Sequence, residues 1–409
     1  MDAADIPIRV GAPGDWDAIW NLLGQLFHTP PSDEAKALEG AVFEPARSLV
    51  AEDAGALVGH VAAYTRDLTV PGAVVPAAHI SGVGVAPTHR RRGLLTRMMH
   101  RQLRDVAAGE EPVAVLWASE TKIYPRFGYG PASQRLRLDI STREVRLPDT
   151  NPRGRLRQVD PVEAIPVFSR LYDDLRADRV GWSTRDDAWW KFTLADVESQ
   201  RGGATQLYGV VHETPEGTDG YATWRTKDDW NNLGPNCEVQ IRELVAANPE
   251  AYLALWHFLL TIDLTRSASM HVAALDEPLQ YLVDEPRRLG AALADGLWIR
   301  IVDLPRALTA RRYAAPLDVV LEVTDPLLPA NSGRWRLTAD PTGNATCTPT
   351  ADPADLSCTV LELGTVYLGA VPLAALQAAG TVHELTPGAV HRATTAFRWH
   401  RMPQPTDLF

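Results

Sequence analysis

The chain has 409 residues, 45% of them hydrophobic and 22% charged, and its 51 acidic and 40 basic side chains give a formal net charge of −11. This is the balance of a soluble globular protein too long for one ordinary core, so two or three domains are expected. The acidity argues against general nucleic-acid binding and favours encounter with small cations, and no apolar run reaches the roughly 18 to 20 residues that span a bilayer.

Cys237, Cys347 and Cys358 are few, odd in number and without metal-ligand spacing, so a reducing cytoplasm is expected and no metal. The acidic opening Met1-Asp2-Ala3-Ala4-Asp5 lacks the basic and apolar regions of a secretory signal, which again predicts a cytoplasmic protein.

In chain order, Trp16, Ile19, Trp20, Leu23 and Phe27 repeat at helical spacing after Asp15 and predict a first helix. Residues 48–51 and 57–64 read as strands around a turn at 53–55, and Pro71-Gly72 marks a further turn. Residues 78–85 form a strand that Pro87 ends, since proline offers no N–H to a sheet ladder. From Leu94 onward Leu95, Met98, Met99, Leu103 and Val106 make one stripe of an amphipathic helix. Residues 113–118 are almost continuously apolar, as expected of a strand covered on both faces.

Breakers cluster at 148–154 and predict a border there. A second unit comes next, with a helix at 162–175 and strands at 205–212, 220–224 and 238–245. It continues with a helix at 249–262, entered through Ala246-Ala247-Asn248-Pro249. The third unit starts at Leu297 with alternating runs at 298–302 and 317–323. Strands at 335–337 and 356–361, helices at 363–370 and 373–379 and a late strand at 396–399 complete an α+β pattern. The expected domains are therefore 1–149, 150–296 and 297–409.

The chemistry concentrates between Val83 and Leu95. A Val-x-Val strand runs through Pro87-Thr88-His89-Arg90-Arg91-Arg92 and turns at Gly93 into the helix. A helix start with unpaired N–H groups, flanked by arginines and entered through glycine, is suited to phosphate. The residues alone indicate a phosphorylated cofactor at this loop.

Arg90-x-x-Gly93 after the valine strand resembles the acetyl-CoA loop of the GNAT acetyltransferases, with Leu95 where the usual pattern has a small residue. The run from Val83 to Leu95 is similar to proteins of the enhanced intracellular survival (Eis) type. The likeness continues through Ala118-Ser119-Glu120, Ile123-Tyr124, Arg126-Phe127-Gly128-Tyr129-Gly130-Pro131 and Phe409. Chain length and segment order extend the resemblance to essentially all of the chain. It implies two GNAT-like domains, the second without a cofactor site, followed by a sterol-carrier-protein-like C-terminal domain that ends in the active site. It also implies acetyl-CoA as co-substrate, no metal, a polycationic small-molecule amine such as an aminoglycoside as acceptor, no membrane insertion, and a homo-hexamer.

The roles derive from the needs of acetyl transfer. Val83 and Val85 can pair with the pantetheine amides as an added strand would. Arg90, Arg91 and the amides near Gly93 and Leu94 meet the pyrophosphate, and Ser119 bonds the cofactor or Tyr124. By resemblance Tyr124 is the general acid; a phenol with pKa of about 10 stays protonated at neutral pH and can still serve a thiolate. Tyr129 is expected to be structural. By the same resemblance the carboxylate of Phe409 is the base. Asp15, Asp17, Asp33, Glu34 and Glu39 are candidates for the acceptor pocket. A protein-lysine or polyamine acetyltransferase would use the same machinery, and a non-catalytic acyl-CoA or lipid-binding protein is the alternative of a different class.

Overall fold

A computed structural model describes residues 6–149 and 153–409; the acidic opening residues 1–5 and the centre of the breaker-rich stretch 148–154 lie outside the described residues. The chain divides into two units, one made of 1–133, 180–184 and 296–409 and the other of 134–179 and 185–295.

In the first unit β1 (Ile8–Val10), β2 (Ser48–Asp53), β3 (Ala56–Val70), β4 (Ala73–Val85), β5 (Val113–Trp117) and β6 (Gly130–Pro131) build a seven-stranded sheet. Its remaining member is the strand Leu297–Ile301, which lies between β5 and β6. Helices α1 (Trp16–Phe27), α2 (Asp33–Val42) and α3 (Leu94–Ala107) accompany it. Met98, Met99, Leu103 and Val106 of α3 are buried against Ala51, Val61, Ala63, Ala78 and Ala114, small residues that let helix and sheet approach closely.

β5 is covered on both faces, and its alternation explains the apolar run. Ala114 and Leu116 join the core under α3, while Val113 and Val115 join a second core shared with Leu297, Ile299 and Ile301. That second core continues into a five-stranded sheet of Leu317–Thr324, Gly333–Ala339, Ala345–Pro349, Leu356–Thr359 and His383–Glu384.

Two expectations change here. The late strand at 396–399 is instead the end of a helix, Ala389–Phe397, which buries Ala389, Val390, Ala393, Ala396 and Phe397 at helical spacing. The strand at 356–361 stops at Thr359, where Thr359 and Glu362 form a capping box and a helix begins at Val360.

Sheet membership also departs from the expected borders at 149 and 296. Gln134–Ser141 belongs to the second unit's seven-stranded sheet, and Leu297–Ile301 belongs to the first. In the second unit, Cys237–Ala246 leads into helix Pro249–Leu260, the strand-then-helix order of β4 and α3. That helix starts differently, however: Asn248 caps it by accepting from the Ala251 amide at 2.9 Å, in the place where α3 has its arginine loop.

Candidate active site

β4 and β5 run parallel but pair only at Ala77–Val113, Ala78–Ala114 and His79–Val115. Beyond His79 the two strands part, and β5 continues its ladder with Leu297–Ile301 on its other edge. Val83 and Val85 therefore lie on a stretch of β4 with no strand partner on the β5 side. A β-bulge places Gly82 and Val83 opposite the single residue Val61, with Gly82 at φ +59°. The buried His60 ring pins this bulge, its Nδ1 lying 2.8 Å from the Gly82 carbonyl. Burial lowers the His60 pKa to about 4, so the ring is neutral and donates from Nδ1 to that carbonyl. Gly84 serves packing as well, since a Cβ there would meet Leu26 of α1 at 2.3 Å.

The loop after β4 delivers its arginines to solvent at the start of α3. Gly93 is the N-cap at φ +82°, a conformation that favours glycine, and an added Cβ would meet open space. Leu94 buries its side chain while its amide belongs to the first helical turn. Arg90 and Arg91 are solvent-facing. His89 anchors the loop from beneath, with Nε2 2.9 Å from Asp53 and Nδ1 2.8 Å from the Thr88 hydroxyl. Open amides, open space and unburied guanidinium groups fit a diphosphate.

Tyr124 is 4% exposed and packs edge-on to Tyr129 at 6.0 Å. Burial raises its pKa, and a hydrogen bond with Ser119 partly offsets this, so the phenol keeps its proton. The turn behind it is closed by the Phe127 amide on the Tyr124 carbonyl at 3.0 Å and by Gly128 at φ +81°. Tyr129 is fully buried and its hydroxyl has no partner among the described residues, a packing role.

Arg300, within an otherwise apolar strand, locks this turn. Its Nε donates to the Phe127 carbonyl at 2.8 Å, and Nη2 reaches both oxygens of the buried Asp325 at 2.7 and 2.8 Å. Arg300→Met is expected to cost about 3–5 kcal/mol by leaving Asp325 charged and buried without its partner. A thermal melt checks this, and turnover should fall further than cofactor affinity because Tyr124 loses its support.

The tail enters at the fork between β4 and β5. Trp117 Nε1, two residues past the last residue of β5 that pairs with β4, donates to the Asp407 carbonyl at 2.6 Å. Asp407 forms a buried ion pair with Arg66, whose Nε donates to the Thr184 carbonyl at 2.7 Å. The Phe409 ring packs edge-on to His79 at 4.8 Å. His79 is wholly buried; desolvation and then Arg66 hold its pKa down to about 3. It stays neutral, donating from Nδ1 to Ala77 at 2.9 Å and accepting at Nε2 from Ser183 at 2.8 Å. Segment 180–184 runs beside β3 and also receives the tail, with the Gln404 amide on the Val180 carbonyl at 2.9 Å.

The five acids before the core strands differ in fate. Asp15 is held by Arg9 at 2.6 Å, which lowers its pKa to about 2, and Asp17 pairs with Lys36 at 2.7 Å. Asp33 and Glu34 are exposed at the start of α2. Glu39 is half-buried, has no cationic partner among the described residues, and is raised to about 6 by desolvation. Its charge reaches the Tyr64 phenol, which is hydrogen-bonded to Ser81 just before the bulge.

Residues 7–132 match a family described as "Acetyltransferase (GNAT) domain", residues 181–301 match a second family of that description, and 304–404 match "Sterol carrier protein domain". The "N-acetyltransferase Eis" of Mycobacterium tuberculosis is 36% identical over 340 residues, 81% of this chain and 80% of that protein. The chain belongs to the Eis-type GNAT N-acetyltransferases. An "Uncharacterized N-acetyltransferase" of Streptomyces avermitilis is 44% identical over 95% of this chain and 96% of its own length. The crystal structure of Eis1 from Mycobacterium abscessus superposes with a TM-score of 0.84 at 32% identity, covering 98% of this chain and all of that one. The Eis-type architecture of two GNAT domains and a sterol-carrier domain is thus shared along the chain. No helix of the described residues is long and apolar enough to cross a membrane, and among them no cluster of His, Cys, Asp and Glu could hold a metal ion.

Arg300, His60, Arg66 and Asp407 carry no motif that marks them in the sequence as parts of the site. For Arg300 one signal exists, an arginine inside the apolar run Trp298-Ile299-Arg300-Ile301, because a buried charge needs a partner. His60 and the Arg66–Asp407 pair act through contacts distant in sequence and leave no local sign.

Proposed function

We propose that the chain transfers acetyl from acetyl-CoA to a primary amine of a polycationic small molecule such as an aminoglycoside. The observation that carries this reading is the arrangement at the β4–β5 fork. The unpaired strand edge leads to the arginine-flanked helix start, Tyr124 lies in the core against which Val83 and Val85 pack, and the tail ending in Phe409 meets His79, the last residue of β4 paired with β5.

The free edge at Val83 and Val85 accepts the pantetheine arm as an additional strand, and the amides at Gly93 and Leu94 with Arg90 and Arg91 hold the diphosphate. The thioester supplies an activated acetyl group. A backbone amide of the bulged strand polarises its carbonyl. The acceptor nitrogen forms the new C–N bond as the C–S bond breaks. Tyr124, oriented by Ser119, gives its proton to the departing sulfur. The Phe409 carboxylate orients the amine and receives its proton, directly or through a water.

Glu39 takes a distal ammonium group of the acceptor, since its carboxylate is spent on no cation among the described residues. Its pKa of about 6 sets the sign of a pH effect: the carboxylate ionises as pH rises through 6, so KM for a polyamine should fall over that range. Glu39→Gln should raise KM about tenfold and abolish this dependence, with kcat little changed. An unaltered KM profile would remove Glu39 from the pocket.

The deciding experiment presents acetyl-CoA with aminoglycosides, polyamines and lysine peptides and follows release of free thiol. Turnover confined to polyamines or lysine peptides would replace the acceptor class. Silence with all three, together with retained coenzyme A binding, would support a non-catalytic acyl-CoA protein.

A further inference from the structure

The second unit contains a cavity of about 450 Å³, within the range of small-molecule sites. Its walls come from strands Tyr208–Thr214 and Gly217–Lys227 and from the C-terminal end of helix Pro249–Leu260. Three rings meet there. Tyr208 lies 5.7 Å from Trp224 at 37°, and Phe258 lies 5.1 Å from Trp224 at 76°, so the rings form a corner instead of a flat stack. Trp224 is buried and fixed in the core, while Tyr208 and Phe258 are half-buried at its margin.

Of the remaining lining, Gln158, Thr226, Thr261 and Ile262 are uncharged, and Asp263 is the one charged side chain among the described residues. Asp263 is exposed and makes no ion pair among the described residues. The helix directs the carbonyls of its final turn toward this end, which carries the negative pole of its dipole. No lysine, arginine or histidine lines the cavity among the described residues. Aromatic faces add the negative side of their quadrupoles.

We propose that this cavity binds an organic cation of the quaternary or methylated ammonium class. Such a cation sheds water more readily than a metal ion, can fill an aromatic corner without needing hydrogen-bond partners, and has its charge balanced by Asp263. The site lies in the unit without the arginine–glycine loop, so it goes beyond the acetyl-transfer reading and stands whatever the acceptor is.

Calorimetry and ligand-observed NMR on the full chain provide the test, with choline as probe and its neutral isostere 3,3-dimethylbutan-1-ol as control. Choline should bind at least about tenfold more tightly than the isostere, the discrimination expected of a cation–π contact and a nearby carboxylate acting together. Tyr208→Leu and Asp263→Asn should each weaken choline binding about three- to tenfold while the melting temperature holds. Equal binding of the two probes, no choline binding at tens of millimolar, or unaltered affinity in both variants would overturn the proposal.

Discussion

Tyr124→Phe is expected to lower kcat by about 10²- to 10⁴-fold, the span associated with a positioned general acid, while KM for acetyl-CoA stays within about twofold. Phenylalanine retains the ring that packs against Tyr129 and closes the core, so the fold should survive. The lost hydroxyl bonds only to Ser119 among its described partners, and Ser119 is exposed, so water can satisfy what remains. The change therefore isolates proton delivery from packing. Steady-state kinetics with a thiol-trapping reagent measure it, and a rate within about threefold of the parent would show that another group protonates the sulfur.

A short glycine–serine extension after Phe409 should reduce kcat/KM by about 10²-fold or more with little effect on the melting temperature. The extension converts the carboxylate into an amide yet leaves the Arg66–Asp407 pair, the Trp117 bond and the Phe409–His79 contact able to form. The neighbouring His79 cannot substitute as a base, because both ring nitrogens are engaged in hydrogen bonds and burial keeps its pKa near 3. A wild-type rate in the extended protein would assign the proton to a different acceptor. Loss of both rate and melting temperature would show that the tail's contribution is support for the fork instead.

Local patterns were the legible part of the sequence. The strand, arginine loop and helix from residue 83 onward come from proline, glycine and a three- and four-residue repeat, all readable within a window of about twenty residues. Ala396–Trp399 misled for the opposite reason. Thr394, Thr395 and the aromatic residues beyond them favour a strand, but Gly388 at φ +84° starts a helix whose buried stripe outweighs that preference. The borders of the units were hidden because Leu297–Ile301 reads equally well as the opening strand of the C-terminal unit or as the partner of β5. Only pairing in space distinguishes these, and pairing has no local signature. The Glu39 setting was hidden likewise: five acids look alike in sequence, and burial together with existing partners separates them.

The strand Leu297–Ile301 has a consequence for biosynthesis. Until residue 301 has left the ribosome, β5 presents a bare edge from Val113 to Trp117, and Arg300 is not there to brace the turn behind Tyr124. A nascent chain must therefore carry all of residues 118–296 before its first sheet closes, the sort of remote pairing that delays folding and invites association between chains. Expression of the amino-terminal portion alone would preserve that vulnerable intermediate, not a small working enzyme.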